Sequence, residues 1–293
     1  MSQTSKPKRR LKRGISNFLL AILFLAGFLV LLYPTISNWW NERVNAQLIN
    51  QYESVMQEID DTAFDEIYAA AREYNDQHTQ NVFTDAFTNE HYILTHPYDT
   101  LLNPMGNEIM GYIEIPKIAQ RLAIGHGVGI TTLEQGVGHV EGTSLPIGGP
   151  GTHSVLAGHR GLPNAKIFTD LDQIVEGDKF FLYILNDIMA YEVDQIVVCK
   201  PNDDSNLQLE EGKDLVTLLT CTPYGVNTER LLIRGHRIDF HEEDITAQAS
   251  QYRISDREKP IYILAGGMAV LLLVLIVMRI YLAKKNTNEQ KGG

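Results

Sequence analysis

The chain has 293 residues, of which 44% are hydrophobic and 21% charged, which is enough for one buried domain with accessory segments. Its formal net charge of -11 argues against nucleic acid as a partner, because phosphate binding requires a concentrated basic surface. Its two cysteines are too few for a disulfide framework or a four-thiolate zinc site.

The N-terminal segment predicts a membrane anchor. Residues 18–33 carry no charge and follow a run of lysines and arginines, which is typical of an end that stays in the cytoplasm. A cleaved signal peptide is the alternative, but no small-x-small cleavage site follows, and Trp39 and Trp40 suit a membrane interface. We therefore predict an uncleaved transmembrane helix, 15–36, after a cytoplasmic tail, 1–14.

The next segment changes from helical to irregular character. Apolar residues recur at steps of three and four, which predicts an N-terminal helical region over 37–75. Polar residues mixed with isolated aromatics follow from 76 to 104, without periodicity. Because loops of that length are usually functional or disordered, we predict a lid-like loop over the domain at 76–104.

Short strand-like runs separated by Gly, Pro and Asn begin after Gly111, which predicts a mainly β domain over 105–240. Six runs have strand character: Tyr112–Ile115, His153–Ala157, Lys179–Leu185, Ala190–Val198, Leu215–Thr220 and Arg230–Ile238. We expect a mostly antiparallel closed barrel instead of an open sheet, because closure removes exposed strand edges.

A second membrane pass is predicted near the C-terminus. The run Ile261–Met278 is apolar throughout and long enough to cross most of a bilayer core of about 30 Å, and basic residues follow it. A buried core helix is the alternative, but no polar stripe interrupts the run. We predict a linker, 241–259, a transmembrane helix, 260–282, and a cytoplasmic tail, 283–293. The β domain then lies outside the cytoplasm, on a multi-pass membrane protein.

The segment Thr217–Gly225 places Cys221 at the end of an apolar, β-branched strand. Nine residues later Arg230 opens the next strand, and an antiparallel return would bring it back towards Cys221. An earlier strand-like run ends at His159 within a Gly-punctuated turn. A nearby imidazolium or guanidinium lowers a thiol pKa from about 8.5 into the physiological range, which would make Cys221 a reactive thiolate. A buried, inert cysteine is the alternative.

Such a site predicts a division of roles. His159 would protonate a leaving amine and later take a proton from the incoming nucleophile. Arg230 would stabilise a tetrahedral oxyanion, because a guanidinium is a permanent cation that cannot act as the base. Arg234 and Arg237 share the last strand, but their offset from Cys221 differs.

Other reactive side chains are interpreted as structural. Cys199 lies in an apolar run and is read as an inert core residue, with a disulfide to Cys221 as the alternative. His126, His139 and His153 have irregular spacing, so a zinc site formed by them with His159 is not favoured. No metal and no cofactor are expected.

The chain resembles the sortases. Thr217–Cys221 matches their Thr-Leu-x-Thr-Cys signature, and Arg230 stands where their catalytic arginine is expected. Three longer strings resemble class C, the pilus-building sortases of Gram-positive bacteria: Met110–Pro116, Gly158–Pro163 and Cys221–Gly235.

The resemblance implies a sortase β-barrel in which His159, Cys221 and Arg230 are catalytic and Thr220 helps to order the site. The substrate would be a pilin or surface protein with a Leu-Pro-x-Thr-Gly sorting signal, cleaved after Thr to leave a thioacyl enzyme. A lysine amine of another pilin subunit would then attack and form an isopeptide bond. A sortase that attaches proteins to cell-wall peptidoglycan and a non-catalytic extracellular assembly module are the alternatives.

Class C enzymes also resemble one another in a lid loop with an Asp-Pro-aromatic motif, whose nearest match here is Asp85-Ala86-Phe87. The aspartate is expected near Arg230 and the aromatic ring near Cys221. Because alanine replaces the usual proline and its fixed φ angle, we expect a lid that opens more readily than is typical. In the alternative, Asp85 and Phe87 merely tether a surface loop.

Overall fold

A computed structural model describes residues 8–77, 83–87, 93–252 and 259–291. Residue contacts divide the chain into two units, one of the terminal segments 1–36 and 254–293 and the other of residues 37–253. The helices are α1 (Lys8–Glu58), α2 (Asp61–Gln77), α3 (Ile130–Gln135), α4 (Glu242–Ala249) and α5 (Lys259–Lys291). The strands are β1 (Ile109–Ile115), β2 (Gln120–His126), β3 (Val137–His139), β4 (Thr152–Ala157), β5 (Lys179–Ile184), β6 (Asp187–Cys199), β7 (Asp214–Thr222) and β8 (Glu229–Ile238).

By length and composition, α1 and α5 are each able to cross a membrane. Their most apolar 18-residue windows have mean hydropathies of 1.7 and 2.3. The predicted anchor segments 15–36 and 260–282 lie within these two helices. α1 continues without interruption through Pro34 into the region where separate helices were predicted.

A short break separates α1 from α2. The Asp60 carboxylate accepts hydrogen bonds from the Ala63 N–H at 2.8 Å and the Thr62 hydroxyl at 2.6 Å. An acceptor in this position satisfies donors that the first helical turn leaves unpaired, so it starts the new helix. Phe64 and Ala71 of α2 are buried in the main hydrophobic core.

The eight strands form a closed barrel in the order β1-β2-β3-β4-β7-β8-β6-β5. The pairs β2 with β3 and β4 with β7 are parallel, and the other pairs are antiparallel. This confirms the predicted closed, mostly antiparallel barrel, and all six predicted strand runs are strands. β2 and β3 were not predicted, since β2 opens with polar residues and β3 has only three residues.

The barrel interior is packed with apolar side chains. The rings of Phe180 and Tyr191 stack with centroids 5.6 Å apart, and Ile113, Leu182 and Ile233 are fully buried. Each such aliphatic side chain contributes about 1.5 to 3 kcal/mol through removal from water. The residues above the core are thereby held on a rigid framework.

The second half of α1 is attached to the barrel by polar side chains. The buried Tyr52 hydroxyl donates to the Met110 carbonyl at 2.9 Å and accepts from the Leu185 N–H at 2.6 Å. The Asn45 side-chain oxygen accepts from the Ala123 N–H at 3.1 Å. Part of α1 therefore belongs to the barrel unit.

Two predicted irregular segments contain local structure. Of the predicted loop 76–104, residues 78–82 and 88–92 lie outside the described residues, and Tyr98–Thr100 forms a 3-10 helix. The predicted linker 241–259 contains α4, which is joined to β5 by an ion pair between Lys179 and Asp244 at 2.8 Å.

Candidate active site

Cys221 lies one residue before the end of β7 and is 6% exposed. In the antiparallel pairing of β7 with β8, it stands directly opposite Arg230. Directly opposed residues of an antiparallel pair project from the same face of the sheet. The Arg230 guanidinium and the Cys221 thiol therefore project from the same face of the sheet. Residues 223–228 form the turn that brings the chain back from β7 to β8.

His159 is brought to the same end of the sheet by the parallel pairing of β4 with β7. The last paired residues are Ala157 and Leu219, and the Gly158 N–H then donates to the Leu219 carbonyl at 3.0 Å. His159 follows at the level of Cys221 and is half-buried. Three strand ends, those of β4, β7 and β8, thus carry the imidazole, the thiol and the guanidinium.

Gly158 is required by the close approach of the chain beside His159. A Cβ atom at this position would lie 2.7 Å from the ring of Phe168. Farther along the same loop, the Phe168 N–H donates to the His159 carbonyl at 3.1 Å. The loop is therefore folded back tightly against the strand end.

Thr220, the neighbour of Cys221 in β7, is completely buried. Its hydroxyl donates to the Gly158 carbonyl at 2.7 Å. This bond lies on the opposite side of β7 from the Cys221 thiol, because successive side chains of a strand alternate. Thr220 therefore links the two strand ends from behind the thiol.

Arg230 is held in a bidentate ion pair with Asp85. Its Nε donates to one carboxylate oxygen at 2.6 Å and its Nη2 to the other at 2.7 Å, and both residues are buried. Its Nη1 donates to the carbonyls of Asn227 at 3.2 Å and Glu229 at 3.0 Å. Paired bonds of this kind are about twice as strong as neutral ones. In this arrangement Asp85 occupies the Nε–Nη2 edge of the guanidinium.

Phe87 lies against the same site. Its ring centroid is 5.4 Å from that of His159 and 5.2 Å from Cζ of Arg230, the second contact being a cation–π arrangement. Asp85 and Phe87 both contact the predicted catalytic residues, Asp85 at Arg230 and Phe87 at His159 and Arg230. The resemblance also places the ring of Phe87 near Cys221, and that placement stays a prediction.

Burial keeps the thiol and the imidazole uncharged in this arrangement. Burial raises the pKa of Cys221 above its usual range, Arg230 and Arg160 oppose this rise, and Asp85 adds to it. Burial lowers the pKa of His159, and the carboxylate of Glu134 opposes that change. At neutral pH the closed site therefore favours a neutral thiol beside a neutral imidazole.

Cys199 stands opposite Arg230 on the other neighbouring strand, β6. Both cysteines are free, which agrees with the sequence interpretation. Cys199 is buried in a small cluster that includes Leu207 and Leu232, and its thiol contacts the Asp203 carbonyl at 3.8 Å. Its pKa is raised by burial and by the Asp203 carboxylate, which disfavours the thiolate.

The other candidate cations are paired elsewhere. Arg234 donates to both carboxylate oxygens of Asp194, at 2.9 and 3.0 Å, and to Glu210 at 2.6 Å. Arg237 lies 3.6 Å from the Asp214 carboxylate. Asp214 begins β7, so this pair lies at the strand end opposite to Cys221.

The three histidines considered as metal ligands have hydrogen-bond partners within the fold. His126 lies within 2.9 Å of the Glu108 carbonyl, and His139 within 2.8 Å of the Tyr98 hydroxyl. His153 lies 2.8 Å from the Thr217 hydroxyl, and burial lowers its pKa. These contacts fit structural roles.

The sequence interpretation assigned no role to Arg160, the residue after His159. The structure buries its guanidinium, and the charge of Arg160 opposes the rise in the pKa of Cys221. The available signal was an arginine inside the Gly-punctuated turn that follows a strand, but spacing alone does not predict burial.

Comparison with known proteins relates this site to one family. Residues 113–238 match the family model described as the sortase domain. Sortase D of Bacillus subtilis is 30% identical over 138 residues, a match that covers 46% of this chain and 67% of that protein.

Solved structures show the same likeness over a longer region. Sortase C1 of Streptococcus agalactiae is 42% identical, with a TM-score of 0.61, over 67% of this chain and all (100%) of that one. Sortase C of Streptococcus pneumoniae, whose structure concerns catalysis and pilin substrate specificity, is 38% identical with a TM-score of 0.63. That match covers 66% of this chain and 98% of the other.

Proposed function

This chain belongs to the sortase family, and on that premise we propose that it joins pilin subunits as a class C cysteine transpeptidase. The observation that carries the proposal is the meeting of Cys221, His159 and Arg230 at the ends of three adjacent strands. The similarity to sortase C of Streptococcus pneumoniae, whose structure concerns pilin substrate specificity, supports a pilin subunit as the substrate.

In the first step, His159 takes the proton of the Cys221 thiol, and the resulting thiolate attacks the carbonyl carbon of Thr in a Leu-Pro-x-Thr-Gly sorting signal. Arg230 donates hydrogen bonds to the oxyanion of the tetrahedral intermediate. His159 gives a proton to the glycine nitrogen as the C–N bond breaks. A thioacyl enzyme remains, and the glycine-bearing segment leaves as an amine.

In the second step, a lysine amine of another pilin subunit attacks the thioester carbon. His159 takes the proton from the incoming amine, the C–S bond breaks and the thiolate returns. The product is an isopeptide bond between two subunits. Thr220 supports both steps by holding the ends of β4 and β7 together through its bond to Gly158.

Residues 83–87 serve as a lid in this proposal. Asp85 holds the guanidinium that the oxyanion requires, and Phe87 covers His159 and Arg230. Substrate entry therefore requires both side chains to move. Their departure also lowers the pKa of Cys221, because the thiol gains solvent and loses the nearby carboxylate.

Phe87→Ala is expected to speed alkylation of Cys221 by iodoacetamide at pH 7. Each unit by which the thiol pKa falls raises the thiolate fraction roughly tenfold, since the wild-type value lies well above neutral. The measurement is the labelling rate of Cys221 by peptide mass spectrometry in the full-length chain. Thr84→Ala, an exposed neighbour, is the control with unchanged labelling. Equal rates in wild type and Phe87→Ala would refute occlusion by the lid.

The membrane arrangement that fits this function places the barrel outside the cytoplasm. α1 and α5 supply two apolar stretches, and along the sequence basic residues precede the first stretch and follow the second. Positive residues favour the cytoplasmic side, so both termini would be cytoplasmic. The catalytic domain would then meet secreted subunits at the membrane surface.

The function is tested with the full-length chain in detergent and a sorting-signal peptide. Mass spectrometry is expected to find the peptide, shortened to its threonine, as a thioester on Cys221. A lysine-bearing pilin peptide should then yield an isopeptide product faster than an amine of a peptidoglycan cross-bridge. The reverse preference would indicate a sortase that anchors proteins to the cell wall. No adduct with any sorting signal would indicate an assembly module without catalysis.

A further inference from the structure

Arg160 is a buried arginine at the candidate site, and its side chain links several segments of the fold. Its side chain is 3% exposed. Its Nε donates to the Thr169 carbonyl at 3.2 Å, its Nη1 to the Thr222 hydroxyl at 3.0 Å, and its Nη2 forms an ion pair with Asp172. All three guanidinium nitrogens therefore have partners within the fold.

The bond from Arg160 to Thr222 connects the ends of β4 and β7 beyond the last pair of residues in their register. Register between β4 and β7 extends to Ala157 and Leu219. Past it, the side-chain bond from Thr220 to the Gly158 carbonyl and that from Arg160 to the Thr222 hydroxyl continue the connection. His159 and Cys221 stand between these two bonds, one residue from each.

The surrounding loops are packed closely at this place. Gly161 has a φ of +81°, and a Cβ atom there would lie 3.2 Å from the Tyr224 ring. Cζ of Arg160 lies 5.9 Å from the centroid of the same ring. The loop after His159 therefore rests against the loop after Cys221, with the guanidinium at their contact.

The charge of Arg160 is available to the thiol independently of the lid. Arg230 is committed to Asp85 in the closed arrangement, whereas the ionic partner of Arg160 is Asp172, outside the lid. Electrostatic attraction from Arg160 lowers the pKa of Cys221, against the larger effect of burial.

We propose that Arg160 is a positioning residue that holds His159 and Cys221 in register. The proposal rests on the proposed function and adds a residue to it. Arg160 touches neither the substrate nor the reacting atoms. It acts through Thr222, which follows the nucleophile, and through its own backbone, which follows the imidazole.

The test compares Arg160→Gln, Arg160→Lys and Thr222→Val in the full-length chain. The measurements are the pH profile of Cys221 alkylation by iodoacetamide, kcat and KM for sorting-signal cleavage, and Tm. Arg234→Gln is the matched control, because it removes a largely buried, ion-paired arginine at a distance from Cys221.

Arg160→Gln is expected to move the alkylation profile upward, because the charge of Arg160 lowers the pKa of Cys221, and to lower kcat at least about tenfold, with little change in KM. Arg160→Lys keeps the positive charge but loses the planar set of guanidinium donors. Its alkylation profile should therefore stay near that of wild type while kcat falls. Thr222→Val should lower kcat without moving the profile. Arg234→Gln should change neither.

An unchanged profile and a kcat within twofold of wild type in Arg160→Gln would overturn the proposal, as would a fall in Tm with no other change. If Arg160→Gln does not fold, unchanged kcat in both Arg160→Lys and Thr222→Val overturns it equally. Alkylation needs no sorting signal, so its profile tests Arg160 separately. A wild-type chain that is alkylated but cleaves no sorting signal would refute the proposed function instead.

Discussion

Cys221→Ala is expected to abolish thioacyl formation and to lower kcat for sorting-signal cleavage by more than about 10⁴-fold. The substitution removes the sulfur atom that forms the acyl bond in the proposed mechanism. The fold should persist, because changing a thiol to a methyl group alters the packing of β7 very little. The readouts are mass spectrometry of the peptide adduct and the thermal unfolding curve, whose midpoint should stay within about 4 °C of wild type.

Cys199→Ala is the matched control for this prediction. Both cysteines are buried, both stand opposite Arg230, and both substitutions remove one sulfur atom. Cys199 lies on β6, and its thiol contacts the Asp203 carbonyl. Cys199→Ala should therefore form the adduct at the wild-type rate. Persistent acyl transfer or fibre assembly by Cys221→Ala would contradict the assignment of the nucleophile.

Arg230→Lys is expected to lower kcat by about 10²- to 10³-fold, the usual loss when one oxyanion donor is removed. Lysine keeps the positive charge but presents a point charge on a flexible stem, whereas the guanidinium offers a planar fork of donors. In the structure, Nε and Nη2 of Arg230 donate to the two carboxylate oxygens of Asp85, a bidentate contact that a lysine ammonium cannot form. KM should change much less, because the interaction strengthens mainly in the transition state.

Steady-state kinetics of sorting-signal cleavage measure this effect. Arg234→Lys on the same strand is the control, since its partners are Asp194 and Glu210. A kcat within threefold of wild type in Arg230→Lys would contradict the proposed role. Alkylation of Cys221 should also become faster in this variant, because Asp85 loses its bidentate partner and the lid is held less firmly.

Much of the secondary structure followed from local patterns. Apolar runs bounded by Gly, Pro and Asn predicted β1 and β4 to β8, and the sortase resemblance, with closure that removes strand edges, favoured a barrel. β2 was not predicted because it opens with the polar residues Gln120 and Arg121, which obscure the pattern of apolar residues expected of a strand. Gln120 is nevertheless buried. The position of the helix break required the cap at Asp60, since the apolar period continues on both sides of it.

The chemistry of the site was predicted only in part. The motif around Cys221 and the offset of Arg230 pointed to the residues, and the resemblance suggested Asp85 and Phe87. The bracing contacts of Arg160 were not foreseeable, because they depend on where the loops after β4 and β7 meet.

By itself, the amino-acid sequence determined the two long apolar helices, the strand runs and the residue types available for chemistry, because these depend on local composition and periodicity. Only the tertiary structure decided that β4 and β7 pair in parallel, so that residues 159 and 221, 62 positions apart, reach the same end of one sheet. It also decided the burial that raises the pKa of Cys221 and lowers that of His159. Pairing between distant segments and removal from water arise from the whole fold, and no local pattern encodes them.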